Sequence, residues 1–196
     1  MVIDGADEPM IDLWPTIETS RTRLRRIGDT DLEFMFRHFG DGEVCKYLVD
    51  AEPVTTREEA MEIIRWSHSG PQNPTNNRWL VVWKDTDEPI GTCGYHRWDT
   101  SNHCAEIGYD LTPSFWRRGI MTEVLVSVIP FGLSVMKLNR IEAFVHLENH
   151  GSYRLLQRLG FHCEGIVRAR HYFRGAYYDH YSFSLLSSDW QRSQAI

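Results

Sequence analysis

Residues Glu106–Glu123, reading E-I-G-Y-D-L-T-P-S-F-W-R-R-G-I-M-T-E, constrain the fold of this chain more than any other stretch. Ala105 to Leu111 reads as a strand, Pro113 and Ser114 end it, and Arg117-Arg118-Gly119 makes a basic turn. From about Ile120 to Met136 the residues are mostly apolar and read as a helix. A strand, a glycine turn and a helix N-terminus in that order form an anion site. The first N–H groups of a helix have no intrahelical partner, and the macrodipole adds partial positive charge there. Gly119 lacks the Cβ that would hold a phosphate away from those amides. Arg117 and Arg118 add full charges beside them. The plainer reading of the same residues is a strand–helix turn carrying a solvated Arg pair.

The turn is not a P-loop, because no G-x-x-x-x-G-K-[ST] is present, and no G-x-G-x-x-G opens a βαβ unit. The segment resembles the coenzyme A pyrophosphate loop of GNAT-superfamily acetyltransferases, generally R/Q-x-x-G-x-G/A. It is most similar to the branch that includes the ribosomal-protein N-acetyltransferases, which often read G-Y-x-L-x-P-x-x-W-G-K-G-x-M-T-E-A here. Trp116 stands at the R/Q position and Met121 at the G/A position. Arg117 stands where the branch often has Gly, so an ordinary φ is expected there, with the side chain crowding or clamping the phosphates.

Two further segments carry the same resemblance. Asn139 to Phe161, N-R-I-E-A-F-V-H-L-E-N-H-G-S-Y-R-L-L-Q-R-L-G-F, places a strand at Ile141–Val145 and a helix from His150 to Leu159. Asn149 is positioned to cap that helix, and Gly160 to end it before Phe161. This resembles the second GNAT signature, N-x-x-S-x-x-x-x-x-x-L-G-F, whose Asn contacts the pantetheine arm. Upstream, T-S-R-T-R-L-R-R-I-G-D-T-D-L-E-F-M-F is similar to the opening strand and first helix of the branch. Together the resemblance covers roughly Thr19 to Trp190.

It implies a mixed α/β (α+β) GNAT fold: a central, largely antiparallel sheet of about seven strands, splayed in the middle and flanked by helices. Residues 1–19 read as an arm or cover segment, 20–190 as the acetyltransferase domain and 191–196 as a tail. The pass along the chain agrees. It expects a hairpin over residues 78–98, a bend or break at Pro130, and a closing hairpin around Arg174-Gly175. The four Arg of residues 21–27 read as a solvated strand face.

Composition excludes other classes. With 196 residues and a net charge of −6, Lys and Arg are outnumbered, which argues against nucleic-acid binding. The acidic balance favours a cationic substrate such as an amine, or serves plain solubility. No apolar run reaches the roughly 18 residues of a membrane span, and Met1–Met10 is acidic rather than a signal peptide. Cys45, Cys93, Cys104 and Cys163 form no C-x-x-C, so neither a metal nor a disulfide framework is expected, and the location is read as cytoplasmic.

What the resemblance implies for chemistry is acetyl transfer from acetyl-CoA to a primary amine, on a protein N-terminus or a small molecule. A non-catalytic acyl-CoA sensor is the alternative, and a homodimer is one option for assembly. Cofactor contacts are expected from Asp110, Leu111, Trp116, Arg117, Arg118, Gly119, Ile120, Met121, Thr122 and Asn149. A backbone N–H near Asp110 or Leu111 would serve the oxyanion. Glu106 is the first candidate base, with a pKa raised by partial desolvation, or else a strand Glu in a cross-strand pair. His171 is the second, or else part of an aromatic cluster with Tyr172, Phe173 and Tyr177. Leu156 occupies the position where many GNAT enzymes place a Tyr, so Ser152 is the expected donor to the leaving thiolate. Acidic residues at Asp41-Gly42-Glu43 and Asp50-Ala51-Glu52 are expected near the acceptor.

Overall fold

The computed structural model describes residues 12–48, 52–67 and 76–194. Asp50 and Ala51, most of the expected loop at 70–77, and the ends of the expected arm and tail lie outside them. Eight strands form one sheet: β1 (Ile17–Glu18), β2 (Thr22–Arg26), β3 (Asn77–Trp83), β4 (Glu88–Asp99), β5 (Cys104–Leu111), β6 (Arg140–His146), β7 (His162–Phe173) and β8 (Ala176–Leu186). Their order is β1-β2-β3-β4-β5-β6-β8-β7. The helices are α1 (Leu32–Gly40), α2 (Gly42–Cys45), α3 (Arg57–Ser67), α4 (Ile120–Ser134), α5 (His150–Arg158) and α6 (Ser187–Gln194).

The sheet is covered on both faces, and β3 shows why. Its sequence N-R-W-L-V-V-W is buried almost throughout, as a strand with helices on both sides must be. Because side chains alternate, Trp79 and Val81 join the core beneath α4. Leu80 and Val82 join the core beneath α1 and α3. Helix α4 is apolar nearly all round and supplies Ile120, Val124, Leu125, Val128 and Ile129, each at most 1% exposed. Fully burying each such side chain is worth about 1.5–3 kcal/mol. Helix α5 lies on the same face through Leu156.

Several boundaries differ from the sequence reading. Pro130 sits inside α4, which continues four residues past it rather than breaking there. Residues 12–19 are not merely an arm. Ile17 and Glu18 pair with β2, and Trp79 Nε1 donates to the Pro15 carbonyl at 2.9 Å. At the other end α6 takes in residues 191–194, which the sequence reading left to a tail. Helix α5 ends as expected: Phe161 N–H donates to Leu156 C=O at 3.0 Å and Gly160 N–H to Gln157 C=O at 3.1 Å, a Schellman closure with Gly160 at φ 85°.

Strands β5 and β6 run parallel and pair only at Cys104–Arg140, Ala105–Ile141 and Glu106–Glu142. Beyond Glu106 they separate. One buried charge network fixes β5 along this gap. Asp110 Oδ1 meets His38 Nε2 of α1 at 2.7 Å and accepts the Thr92 N–H of β4 at 2.9 Å. Asp110 Oδ2 accepts from Arg78 of β3 and from the Thr92 hydroxyl. Burial alone would raise the Asp110 carboxyl, but Arg78 and His38 outweigh it and hold the group far below the usual carboxylate range.

Removing the Asp110 carboxylate leaves the buried Arg78 guanidinium without its counter-charge, at a cost of about 3–5 kcal/mol. Asp110→Ala is therefore expected to lower unfolding free energy by that amount in a denaturant titration at neutral pH. Since the folded pKa is depressed, the contribution is full above the unfolded value near 4 and fades as pH falls towards the folded one. A loss under about 1 kcal/mol would show that the network does not tie α1 to the sheet.

Candidate active site

A cavity of about 680 Å³ opens where β5 and β6 part. Its walls include Ile107, Gly108 and Tyr109 from β5, Ala143 to His146 from β6, and Glu59, Glu62, Ile63 and Trp66 from one face of α3. Glu106, Asn149, Ser152 and His171, expected to carry chemistry, all line it. Sequence positions up to 65 residues apart are thereby brought to one space.

The pairing pattern settles which β5 amides face the gap. Thr112 N–H donates to the Ile90 carbonyl at 2.7 Å, towards β4. In an antiparallel ladder successive residues turn their N–H to opposite edges. Asp110 therefore points its N–H at β4, where it pairs with Thr92, while Tyr109 and Leu111 present theirs to the gap. Of the two expected oxyanion donors, only Leu111 is turned the right way. The Leu111 carbonyl accepts the Trp116 indole N–H at 2.5 Å, so the Trp116 side chain braces the strand end.

Ser152 has a partner the sequence reading missed. Its Oγ lies 2.7 Å from the Tyr109 hydroxyl, and both line the cavity. Asn149 Oδ1 accepts the Ser152 N–H at 3.1 Å, which fixes the first turn of α5 and leaves the Asn149 amide NH₂ for a ligand. Burial pushes the Tyr109 hydroxyl above its usual range, so it stays protonated. Two hydroxyls sharing one hydrogen bond leave one O–H over, available to the cavity. The signal for this pair was strand alternation, which puts Tyr109 on the same face as Ile107 and hence towards α5.

Glu106 takes the second of its two expected forms, a strand Glu in a cross-strand pair with its register partner His96. His96 Nε2 lies 3.0 Å from its carboxylate, Arg97 Nη1 at 2.8 Å and Arg170 Nη2 at 3.9 Å. Burial would raise its pKa, but these neighbours outweigh burial and lower it. The expected raised value is thus corrected, because a cationic cluster on β4 and β7 surrounds the side chain. Tyr172 and Tyr177 pack on each other with ring centroids 4.9 Å apart. His171 meets His180 with ring centroids 4.8 Å apart, and His146 stands 5.8 Å from His180. Burial first, then His171, pushes the His180 imidazole down to about 4, so it is neutral near pH 7. Among the described residues no cluster of His, Cys, Asp and Glu has metal-holding geometry.

The basic turn lies beyond the cavity, ahead of α4. Gly119 is the N-cap with φ 73°, and no side chain caps the helix, so the Ile120, Met121 and Thr122 N–H groups face outward. The side chains of Ile120 and Met121 are buried in the core, which leaves only their backbone for a ligand. Arg117 adopts φ 59°, a correction to the ordinary φ expected of it. The left-handed turn that Gly serves in the branch is kept here with an Arg, at a cost of about 1 kcal/mol or more. Arg118 is turned away, its guanidinium 5.2 Å from both the Trp83 and Phe115 rings.

A different cation takes the place beside Gly119. Arg21, read from sequence as part of a solvated face, donates Nη1 to the Arg118 carbonyl at 3.0 Å. Its Nη2 lies 3.8 Å from where a Gly119 Cβ would stand. Glu123, in the first turn of α4, holds it: the Glu123 carboxylate accepts from Arg21 Nε at 2.7 Å, Arg21 N–H at 2.6 Å and Thr19 Oγ1 at 2.6 Å.

Residues 21–162 match the acetyltransferase (GNAT) domain family. An uncharacterised N-acetyltransferase of Bacillus subtilis, YoaA, is 37% identical over 174 residues, covering 89% of this chain and 98% of that protein. A ribosomal-protein alpha-N-acetyltransferase solved with coenzyme A superposes with a TM-score of 0.79 at 20% identity, covering 88% of this chain and 98% of that one. Spermidine N-acetyltransferase from Vibrio cholerae, solved with CoA and spermine, gives 0.77 at 20% identity, covering 88% and 99%. At those identities the two structures speak for the fold alone.

An anion cradle at Gly119 has a direct consequence. Coenzyme A is expected to bind the wild-type protein in calorimetry, and saturation at about 100 times Kd to add about 2.7 kcal/mol of stability. Gly119→Glu places a charged side chain, in a strained left-handed conformation, where the phosphates would sit, and is expected to abolish both effects. Undiminished binding by that variant would exclude the turn as the pyrophosphate site.

Proposed function

The chain belongs to the GNAT acetyltransferase family and is an acyltransferase, and on that premise we propose that it transfers the acetyl group of acetyl-CoA to a primary amine by direct attack on the thioester. The observation that carries this reading is the gap between β5 and β6. Its edge offers the N–H groups of Tyr109 and Leu111, and its walls hold Glu106, Ser152 and His171.

In the proposed reaction the pyrophosphate rests on the Ile120–Thr122 amides, with Arg21 beside Gly119. The pantetheine arm runs along β5 as an added strand and meets the Asn149 amide. The amine nitrogen attacks the thioester carbon, and the carbonyl electrons move to oxygen, where the Leu111 N–H stabilises them. One such donor is worth about 10²–10³ in rate. Collapse breaks the C–S bond, and the thiolate takes the spare proton of the Tyr109–Ser152 pair. The proton shed by nitrogen goes to His171, directly or through water. Glu106, already engaged by His96 and Arg97 and depressed in pKa, serves chiefly to hold charge in the cavity.

The acceptor is an amine on a protein N-terminus or on a small molecule. Among similar proteins, the solved ribosomal-protein and spermidine acetyltransferases represent the two kinds.

Release of free thiol from acetyl-CoA, dependent on added amine, tests the proposal across a panel of amines and N-terminal peptides. His171→Gln is expected to lower kcat about 10²–10⁴-fold with coenzyme affinity unchanged. Glu106→Gln is expected to cost far less, and Ser152→Ala with Tyr109→Phe to cost more than either change alone. Coenzyme binding without amine-dependent thiol release would instead favour the sensing module. A large kcat loss in Glu106→Gln with near-normal turnover in His171→Gln would exchange the two roles.

A further inference from the structure

Two of the cavity histidines have their tautomer fixed by the backbone. His180 of β8 lies with Nδ1 3.3 Å from the Tyr178 carbonyl. A carbonyl oxygen only accepts, so Nδ1 carries the ring proton, and in the neutral imidazole Nε2 is left as an acceptor. His146 of β6 is the opposite. Its Nδ1 accepts the Glu148 N–H at 3.2 Å, which puts the proton of the neutral ring on Nε2. Of these two, only His180 offers the cavity a lone pair. Its Nε2 makes no hydrogen bond to a described residue and is not one of the buried side-chain atoms shut away without a partner. It therefore opens to the cavity that His180 lines.

Register places this acceptor at the reacting end of the cavity. Glu106 pairs with Glu142 where β5 and β6 still run together, so Asp110 and His146, four residues on in each parallel strand, are level. His146 is in turn the register partner of His180. The Leu111 N–H, assigned to the oxyanion, thus lies one residue beyond the level of His180, a rise of roughly 3.3 Å. The surroundings keep the ring uncharged. Burial holds the imidazole down to about 4, with His171 and Arg170 of β7 and His146 of β6 acting in the same direction. Nearby carboxylates are engaged elsewhere: Glu52 by Arg174, Glu106 by His96 and Arg97, and Asp179 by the Ala169 N–H. Glu59 and Glu62 belong to the α3 wall. A ring that accepts a hydrogen bond without taking up the proton is suited to holding an N–H in place rather than removing it.

Resting on the acetyl-transfer reading, we propose that His180 orients the attacking amine, its Nε2 accepting one N–H of the nucleophile while His171 takes the proton of the other. A neutral primary amine has two N–H bonds and one lone pair. With one N–H held by His180 and the second turned to His171, the lone pair is left for the thioester carbon. As the C–N bond forms, the nitrogen becomes cationic, so the N–H···Nε2 bond is charge-assisted and stronger in the transition state than before it. No bond to His180 is made or broken. The proton lost by nitrogen leaves through His171, and the amide product keeps the N–H that His180 held. A secondary amine has a single N–H, which it must lose, so it cannot satisfy His180 as well. The residue thereby selects primary amines.

Amine-dependent thiol release tests this with the fastest primary amine of the panel and with trialanine amide, each against its N-methyl derivative. The wild-type protein is expected to favour the primary amine in kcat by about tenfold to a hundredfold. His180→Phe keeps an aromatic ring against His146 and His171 but removes the acceptor. It is expected to lower kcat for the primary amine by that factor, to leave the N-methyl amine nearly unchanged, and so to bring the ratio towards parity. His180→Asn restores an acceptor and is expected to retain part of the ratio, with coenzyme affinity in calorimetry unchanged in both variants. The acid limb of the kcat/KM profile is expected to persist in His180→Phe, because the proton goes to His171. Equal losses for primary and N-methyl amines in His180→Phe would reduce the residue to packing and overturn the proposal. Disappearance of the acid limb in that variant would overturn it too, by making His180 the base. Wild-type protein that releases no thiol with any amine removes the acetyl-transfer reading and this role with it, whereas release with a ratio unaltered by His180→Phe removes the role alone.

Discussion

A parallel pair of strands that separates after three paired residues leaves a row of backbone N–H and C=O groups facing a gap, and the rest of the site is arranged around that row. Backbone polar groups inside a fold require partners, so such a gap is stable only if water or a ligand fills it. The protein keeps it open by anchoring each side separately. Strand β5 is held from the β4 side by Asp110 with Arg78, Thr92 and His38. Strand β6 is held along its whole length by β8, from Arg140–Leu186 to His146–His180. Neither anchor crosses the gap.

The same opening explains why the two ends of a cofactor would meet different chemistry. Towards α4 the turn offers open backbone amides and Arg21, with Glu123 orienting the guanidinium. Towards α3 and β7 the cavity offers ionisable side chains with strongly coupled charges. In the proposed reaction one half would recognise by backbone and fixed positive charge, and the other would move protons.

The fold was largely legible because its strongest signals are local. The G-Y-D-L-T-P strand end, the Gly119 turn and the Asn149 cap with its Gly160 closure each have a sequence-encoded mechanism, and each appears where spacing puts it. What was not legible depends on contacts between distant elements. Arg21 and Gly119 are 98 positions apart, and nothing in the alternation of residues 21–27 shows that Arg21 turns towards the helix start. Tyr109 and Ser152 meet only because α5 packs on one particular face of β5. The cross-strand pair offered for Glu106 is there, with His96 as its register partner and the largest influence lowering its pKa, whereas Arg97 and Arg170 reach it through bulges with no sequence signature.

If the cofactor occupies the gap between β5 and β6 as a surrogate strand, the amides of Tyr109 and Leu111 should become protected when it binds. Hydrogen–deuterium exchange with and without coenzyme A measures this directly. The account predicts slower exchange at Tyr109 and Leu111 and at Ile120–Thr122, with Asp110, already paired to β4, unchanged. Protection confined to the turn before α4, with Tyr109 and Leu111 exchanging as fast as in the free protein, would contradict it.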